Sequence, residues 1–461
     1  MSDPHEPDAT GQDADRSADE AGLLDALLAR VAERAGPEKA DLVVALARAA
    51  YRRVPESRLR ELDPDRVAER VIDALAFMDS REPGGLALRV RNPDADDGGG
   101  PGTIIDVNVE DAPFLLTTIT EELGRQGLEV ADTLHPIMGV ERDDDGRVVE
   151  IRPARGANRR EVWISVRLLT RLPDDALEPL ADDLRRVLAD ARIATRDFAR
   201  MRAQVEEVAF QTRASAGARY PPDEVDEVLD LLHWLLDDHF VFLGYREYDV
   251  TETTVAVKPG SGLGILSDES RSTFAKPTPL SQVPPDLRKR IVGGDLLLVS
   301  RTNRKSTVHR QARMIYIGIK KVGGDGRIVG EQRFLGLFAQ KAYAEPASTI
   351  PVLRRKLRRI LEAEDIVDHS YDERTLRALF EAVPKHELFA ADTDDLRRTL
   401  MTLLETQRSN DVRLLCRIEP DRRSASALVA IPRGRFNARI RKRIQRLLME
   451  RFGASSVEYH L

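Results

Sequence analysis

The turn Glu110-Asp111-Ala112-Pro113-Phe114 places two carboxylates, a proline and an aromatic ring directly before an amphipathic run. Pro113 at a helix start and Asp111 near its cap account for themselves structurally. The same turn exposes backbone N–H groups that could hold a ligand carboxylate, so Glu110, Asp111, Pro113 and Phe114 are candidate ligand-binding residues. His135, in the stretch TLHPIM, is the other candidate. It sits where a strand is interrupted by Pro136, and irregular strand edges often present side chains to ligands. The plainer account of His135, an imidazole bonded to nearby backbone, is the stronger one.

The remaining chemical signals are weaker. Gly260, Gly262 and Gly264 (GSGLG) lack the following helix and the third-glycine spacing of a dinucleotide fingerprint, so a backbone bend is expected there. His233 and His239 are six residues apart and share no helical face, and no HExxH pattern occurs. Asp143-Asp144-Asp145-Gly146 resembles a calcium loop, but Arg152 stands where a bidentate Glu is needed, and a hairpin turn is expected. Cys416, in RLLCRI, is expected to be a small buried strand residue. No Walker A lysine motif and no G-x-S-x-G elbow is present. The expected assignment is therefore no catalytic residue, no metal and no cofactor held by this chain.

The chain has 461 residues, 71 basic and 78 acidic, a formal net charge of −7 and a single cysteine. That length implies several domains, and one cysteine excludes an internal disulfide framework and points to a reducing, cytoplasmic compartment. No apolar run approaches the ~18 residues of a membrane span. Residues 1–20 hold seven acids and one base with almost no large apolar side chain, so a disordered acidic tail is expected. Arg288 to Lys321 carries ten Lys or Arg against one acid, Asp295. Solvated strand faces explain this better than a nucleic-acid surface, because Tyr316 is its only aromatic.

The periodicities that must position these residues predict an α+β chain of several small domains. Helices are expected over Leu23–Ala35, Lys39–Tyr51 and Asp63–Met78, within a helical segment 21–91. The glycine-rich stretch 92–102 reads as a linker. Over 103–195, strand Thr103–Val109, helix Phe114–Gln126, strands at Leu128–Val140, Val148–Arg152 and Glu161–Leu169, and helix Pro173–Ala194 suggest a ferredoxin-like βαββαβ module. A helical connector spans 196–238, a strand-rich antiparallel sensor-type sheet 239–345, and helices 346–408. A second β/α module, complete or partial, with a last strand at Ser455–Tyr459, fills 409–461.

Several long phrases resemble one family. VNVEDAPFLLTTITEELGRQGLEV, TLHPIMGVERDDDGRV, LDLLHWLLDDHFVFLGYREY, GSGLGILSDESR, VHRQARMIYIGIKK, FLGLFAQKAYAEPASTIPVLRRKLRRIL and RFNARIRKRIQRLLMERFGASSVEYHL are similar, in one order, to the amino-terminal region of the large bacterial NAD-specific glutamate dehydrogenases. The resemblance implies ACT-like modules at 103–195 and 409–461 with a PAS-like module at 239–345. It implies NAD as cofactor of the full-length family, whose dehydrogenase domain lies beyond the likeness, and no catalytic residue carries over to this chain. It further implies a regulatory or assembly role, an amino-acid effector, homo-oligomers, and the parent's catalytic region as partner. Alternatives remain: a stand-alone amino-acid sensor, a stand-alone enzyme built from scattered residues such as His135, Asp111 and Lys321, or a nucleic-acid module on Arg288–Lys321.

Overall fold

The structure is a computed structural model that describes residues 9–93, 102–409, 411–418, 425–457 and 459. The chain divides into two compact units, Met1–Arg192 with Thr307–Gln311, and Ile193–Ser306 with Ala312–Leu461.

The first unit opens with helices α1 (Ala9–Ala35), α2 (Ala40–Tyr51), α3 (Glu56–Leu59) and α4 (Pro64–Asp79). The disorder expected over residues 1–20 is corrected from Ala9 onward, where α1 begins, and residues 1–8 lie outside the described residues. Once the amphipathic stretch Leu23–Ala35 nucleates a helix, each preceding residue extends it by one backbone hydrogen bond without a further nucleation cost. α4 starts where Asp63 accepts a hydrogen bond from the Asp65 amide (3.0 Å), ahead of Pro64 in the first turn.

Next come β1 (Ala87–Arg91), β2 (Ile104–Glu110), α5 (Leu115–Arg125), β3 (Val130–Leu134), β4 (Ile137–Arg142), β5 (Val148–Pro153), β6 (Arg160–Leu168) and α6 (Leu177–Arg196). The sheet order is β1-β2-β6-β4-β5, with β3 also on β6 and every pair antiparallel. This is a permuted ferredoxin-like sheet. The strand flanking β2 comes from β1, ahead of the glycine-rich stretch, rather than from a strand after α6. Residues 87–91 thus belong to the sheet, and 92–102 connects two of its strands.

One sheet face, carrying Trp163, Leu134, Met138 and Val140, shares a core with α1, α2 and α4 through Val31, Leu46, Val71 and Met78. The other face, Ile105, Val107 and Val109 with Val162, Ile164 and Val166, is equally buried. The apolar stripes of α5 (Ile119, Leu123) and α6 (Leu184, Val187, Leu188) are what the unit has left to cover it.

The second unit holds α7 (Phe198–Ser215), α8 (Pro222–Trp234), β7 (Phe240–Val250), β8 (Thr254–Val257), β9 (Leu263–Gly264), β10 (Thr278–Pro279), α9 (Pro285–Val292), β11 (Leu297–Lys305), β12 (Arg313–Val322) and β13 (Ile328–Phe338). Helices α10 (Gln340–Ala344), α11 (Leu353–Ala363), α12 (Tyr371–Ala382), α13 (Lys385–Ala390) and α14 (Thr393–Ser409) follow, then β14 (Arg413–Ile418), β15 (Ala425–Ala430) and α15 (Ala438–Phe452). Its main sheet runs β10-β8-β7-β13-β12-β11, antiparallel throughout, with β9 on β7. Phe242, Tyr245, Ile315, Ile317, Ile319 and Phe334 turn one face into a core shared with α7, α8 and α11–α14.

The hairpin between β12 and β13 closes through Gly326 at φ +77°, where the Gly323 amide donates to the Arg327 carbonyl (2.8 Å). The strand expected at Ser455–Tyr459 does not form among the described residues. Cys416 is exposed rather than buried, because among the described residues β14 and β15 pair only with each other. Two strands alone bury little.

Candidate functional site

The turn that sequence singles out joins β2 to α5. Its β end is pinned by the Asp111 amide, which donates to the Arg160 carbonyl (2.9 Å) and prolongs the β2–β6 ladder by one residue. Its helical end is Phe114, whose backbone is left-handed at φ +73°. That conformation is uncommon for a residue with a side chain and aims the chain sharply into α5. The Thr118 amide makes the first α5 hydrogen bond, to the Phe114 carbonyl (2.8 Å). The preceding amides have no intrahelical acceptor, as at any helix start.

Asp111 is half-buried, and burial raises its carboxyl above the usual range while the Arg160 guanidinium pulls it back. Pro113 is exposed. Glu110 is exposed and lies directly opposite Glu161 across the β2–β6 ladder. Two facing carboxylates would repel, but Glu161 is claimed by Arg81 and by Arg142, whose Nε and Nη2 donate to it at 2.8 Å. Burial pushes the Glu161 carboxyl up, and these hydrogen bonds and charges outweigh it and hold it below its ordinary range.

His135 stands apart. It lies exposed in the two-residue break between β3 and β4, both of which pair with β6 on the side away from β2. A strand therefore separates it from the turn, about 10 Å across the sheet. Glu110, Asp111, Pro113 and Phe114 form one contiguous feature, and His135 is outside it.

Residues that sequence reading did not include complete the surroundings of the turn. Thr307–Gln311 lies along α5. The Phe114 and His309 rings meet with centroids 4.8 Å apart. The His309 amide donates to Thr118 Oγ1 (3.1 Å) and the Gln311 amide to Glu121 Oε2 (2.9 Å). Thr307 Oγ1 donates to Asp190 Oδ2 on α6 (2.7 Å). His309 itself is left-handed at φ +69°, and its buried Nδ1 has no hydrogen-bond partner among the described residues. Burial, with Arg310 adding to it, lowers the His309 pKa, so its imidazole is neutral at neutral pH. Nearly two hundred residues separate these groups from Phe114, so no local pattern could announce them; the one signal was a histidine inside a polar hairpin.

Gly260–Gly264 leads into the two-residue strand β9, not into a helix. The Gly264 amide donates to Asp197 Oδ2 (2.9 Å) at φ +57°. Within the basic stretch, Lys320 is buried on Glu331 (2.7 Å) and Lys321 pairs with Glu247 (3.4 Å). Among the described residues no group of three or more His, Cys, Asp or Glu is gathered as metal ligands would be.

Comparison with known proteins places these features. The model of the glutamate dehydrogenase ACT1 domain matches residues 46–184, that of glutamate dehydrogenase helical motif 1 matches 350–409, and that of the ACT2 domain matches 413–461. The chain belongs to the NAD-specific glutamate dehydrogenase family. The ACT1 match runs from within α2 to within α6 and takes in the whole sheet of the first unit, with the β2–α5 turn inside it. The helical-motif match takes in α11–α14, and the ACT2 match β14, β15 and α15.

An NAD-specific glutamate dehydrogenase of Halomonas elongata is 29% identical over 454 residues, which are 95% of this chain and 28% of that protein. Its counterpart in Pseudomonas aeruginosa is 28% identical over 384 residues, 81% of this chain and 23% of that protein. The one in Mycobacterium tuberculosis is 28% identical over 368 residues, 79% and 22% respectively. The chain thus spans between 22% and 28% of the length of these relatives. The described residues contain no helix long and apolar enough to cross a membrane.

Proposed function

We propose that this chain is a regulatory and assembly region of an NAD-dependent glutamate dehydrogenase, the whole enzyme oxidising L-glutamate to 2-oxoglutarate and ammonia with NAD. No catalytic step is assigned to residues of this chain. The observation that carries the reading is the ACT1 match centred on a sheet whose β2–α5 turn is pinned at both ends and opens onto the first amides of α5. A small amino acid could set its carboxylate against those amides, beside the Phe114 ring.

Ordering of this turn by an effector needs to supply only about 1–3 kcal/mol of coupling to control a distant site. The antiparallel sheet β7–β13 is read as a PAS-like sensor module. The assembly is read as a cytoplasmic homo-oligomer in which the parent's catalytic region is the partner. Calorimetric titration of the purified chain with the proteinogenic amino acids tests the sensing role. Saturable heat from one or a few of them is expected, lost in Phe114→Ala. No heat and no thermal shift from any of them would leave assembly as the only role.

A further inference from the structure

The face of the second unit's sheet turned away from the main core holds a concentration of charge. Register places Arg333 on β13 directly between Gly318 on β12 and Arg246 on β7. The next row on that face is Lys320, Glu331 and Tyr248, and the row on the other side begins with Tyr316. Three cations and one carboxylate therefore share neighbouring positions.

The pairing is unequal. Glu331 accepts from Lys320 Nζ (2.7 Å), from Arg333 Nη2 (2.9 Å) and from the Tyr316 hydroxyl. Among the described residues the hydrogen-bond acceptors of Arg246 are main-chain, the Leu266 carbonyl (3.0 Å from Nε) and the Asp268 carbonyl (2.8 Å from Nη2). The Asp268 carboxylate hydrogen-bonds Ser270 and pairs with Arg271, and it acts on Arg246 only through space. Lys320 completes its set with the Arg290 carbonyl (2.6 Å). Arg246 and Lys320 are 3% and 5% exposed. Directly opposed like charges are unfavourable in a sheet, and a buried cation without a counter-charge is costly. Against the one carboxylate it encloses the cluster is two positive charges in excess, and Asp268, outside it and shared with Arg271, offsets this only in part.

The excess is reachable at one point. The Arg333 side chain is 29% exposed. Its guanidinium lies between the rings of Tyr248 and Tyr316, 4.1 and 4.5 Å from their centroids. Its Nε donates to the Tyr316 hydroxyl (2.8 Å) and its Nη1 to the Tyr248 hydroxyl (3.0 Å). Three of its five N–H groups are used, and two are left. A planar donor clamped in orientation, with spare hydrogens and surplus charge behind it, suits a small oxyanion.

We propose that Arg333, backed by Arg246 and Lys320, is a binding site for the carboxylate or phosphate group of a small anion. The site belongs to the second unit and does not rest on the reading of the β2–α5 turn.

The test is calorimetric titration of the full chain with inorganic phosphate and, separately, with succinate, at fixed ionic strength set by chloride. Saturable binding of at least one is expected, and which one binds tells phosphate from carboxylate. Arg333→Met should weaken it by about tenfold or more, since a charge-assisted hydrogen-bonding group is lost. Glu331→Gln removes the enclosed carboxylate's charge and should tighten binding several-fold, a gain that a damaged fold cannot produce. Circular dichroism melts verify that both variants fold. Absence of saturable binding to wild type, or an affinity that neither variant changes, would overturn the proposal.

Discussion

Thr118→Val removes one oxygen from α5 and keeps the side-chain shape. Thr118 is 1% exposed, and its Oγ1 accepts the His309 amide at 3.1 Å. In the variant that amide faces a methyl group while Thr307–Gln311 stays docked. A neutral hydrogen bond contributes about 0.5–1.5 kcal/mol net, and an amide left unsatisfied costs about 1–3 kcal/mol. The added methyl recovers a little by apolar contact, so docking should weaken by roughly 1–2 kcal/mol. Because the segment can leave α5 without unfolding the sheet, the loss should appear locally. Amide hydrogen exchange at His309 and Gln311 should accelerate about five- to thirtyfold, while exchange at Val107 and Ile164 in the sheet stays unchanged. The same undocking should uncover the Phe114 ring and raise, not lower, the affinity of any amino acid that binds the turn. Unchanged exchange at His309 would refute the assignment of Thr118 as the anchor.

Two further outcomes follow from buried groups in the second unit. Burial pushes the Lys356 ammonium down to about 8, although its Nζ donates to the Leu388, Phe389 and Ala391 carbonyls (2.9, 2.9 and 2.6 Å). A base whose folded pKa lies below its unfolded value makes the unfolded chain bind more protons between the two, so stability rises with pH there. Urea midpoints measured near pH 8 and near pH 10 should show wild type gaining on Lys356→Met as pH increases. Gly264→Ala should destabilise by roughly 2–4 kcal/mol, because φ is +57° and an added Cβ would fall on the Leu243 carbonyl oxygen. A urea midpoint equal to wild type would contradict that geometry.

Where the sequence was legible, the information was local. The strand predicted at Glu161–Leu169 appears as β6, Arg160–Leu168. A helix predicted over Phe114–Gln126 appears as Leu115–Arg125, ended by Gly127 at φ +72°. The illegible parts are non-local. Nothing in Ala87–Arg91 states that this short segment will pair with β2 across a glycine-rich connection, since a five-residue apolar-basic run fits a loop as well as an edge strand. Nothing near His309 states that it will meet Phe114. Reading Arg288–Lys321 as solvated strand faces missed Lys320, because burial of a lysine depends on Glu331 standing opposite it in the β12–β13 ladder. Of the candidate residues, four share the β2–α5 turn because they lie within five positions of the chain. His135 was joined to them by suspicion of its type, and the sheet separates it.

Each unit encloses a carboxylate between two cations, and the difference between the two clusters bears on what they do. In the first unit Glu161 on β6 meets Arg142 on β4, Arg81 after α4 and Asn108 on β2. Their side chains are closed to water, with Arg81, Glu161 and Arg142 at 6%, 6% and 10% exposure. A buried ion pair is a poor source of stability compared with apolar packing. What such a knot provides is register: slipping β4 or β2 by one residue against β6 would turn Arg142 or Asn108 to the opposite face and strand Glu161. In the second unit the equivalent position is left open at Arg333, and the surplus cations Arg246 and Lys320 exceed what Glu331 alone would require. A device for register has no need of either feature. An unneutralised charge held in place and accessible from one side is the arrangement that a dissolved anion can complete, which is why the second cluster, and not the first, carries the binding proposal.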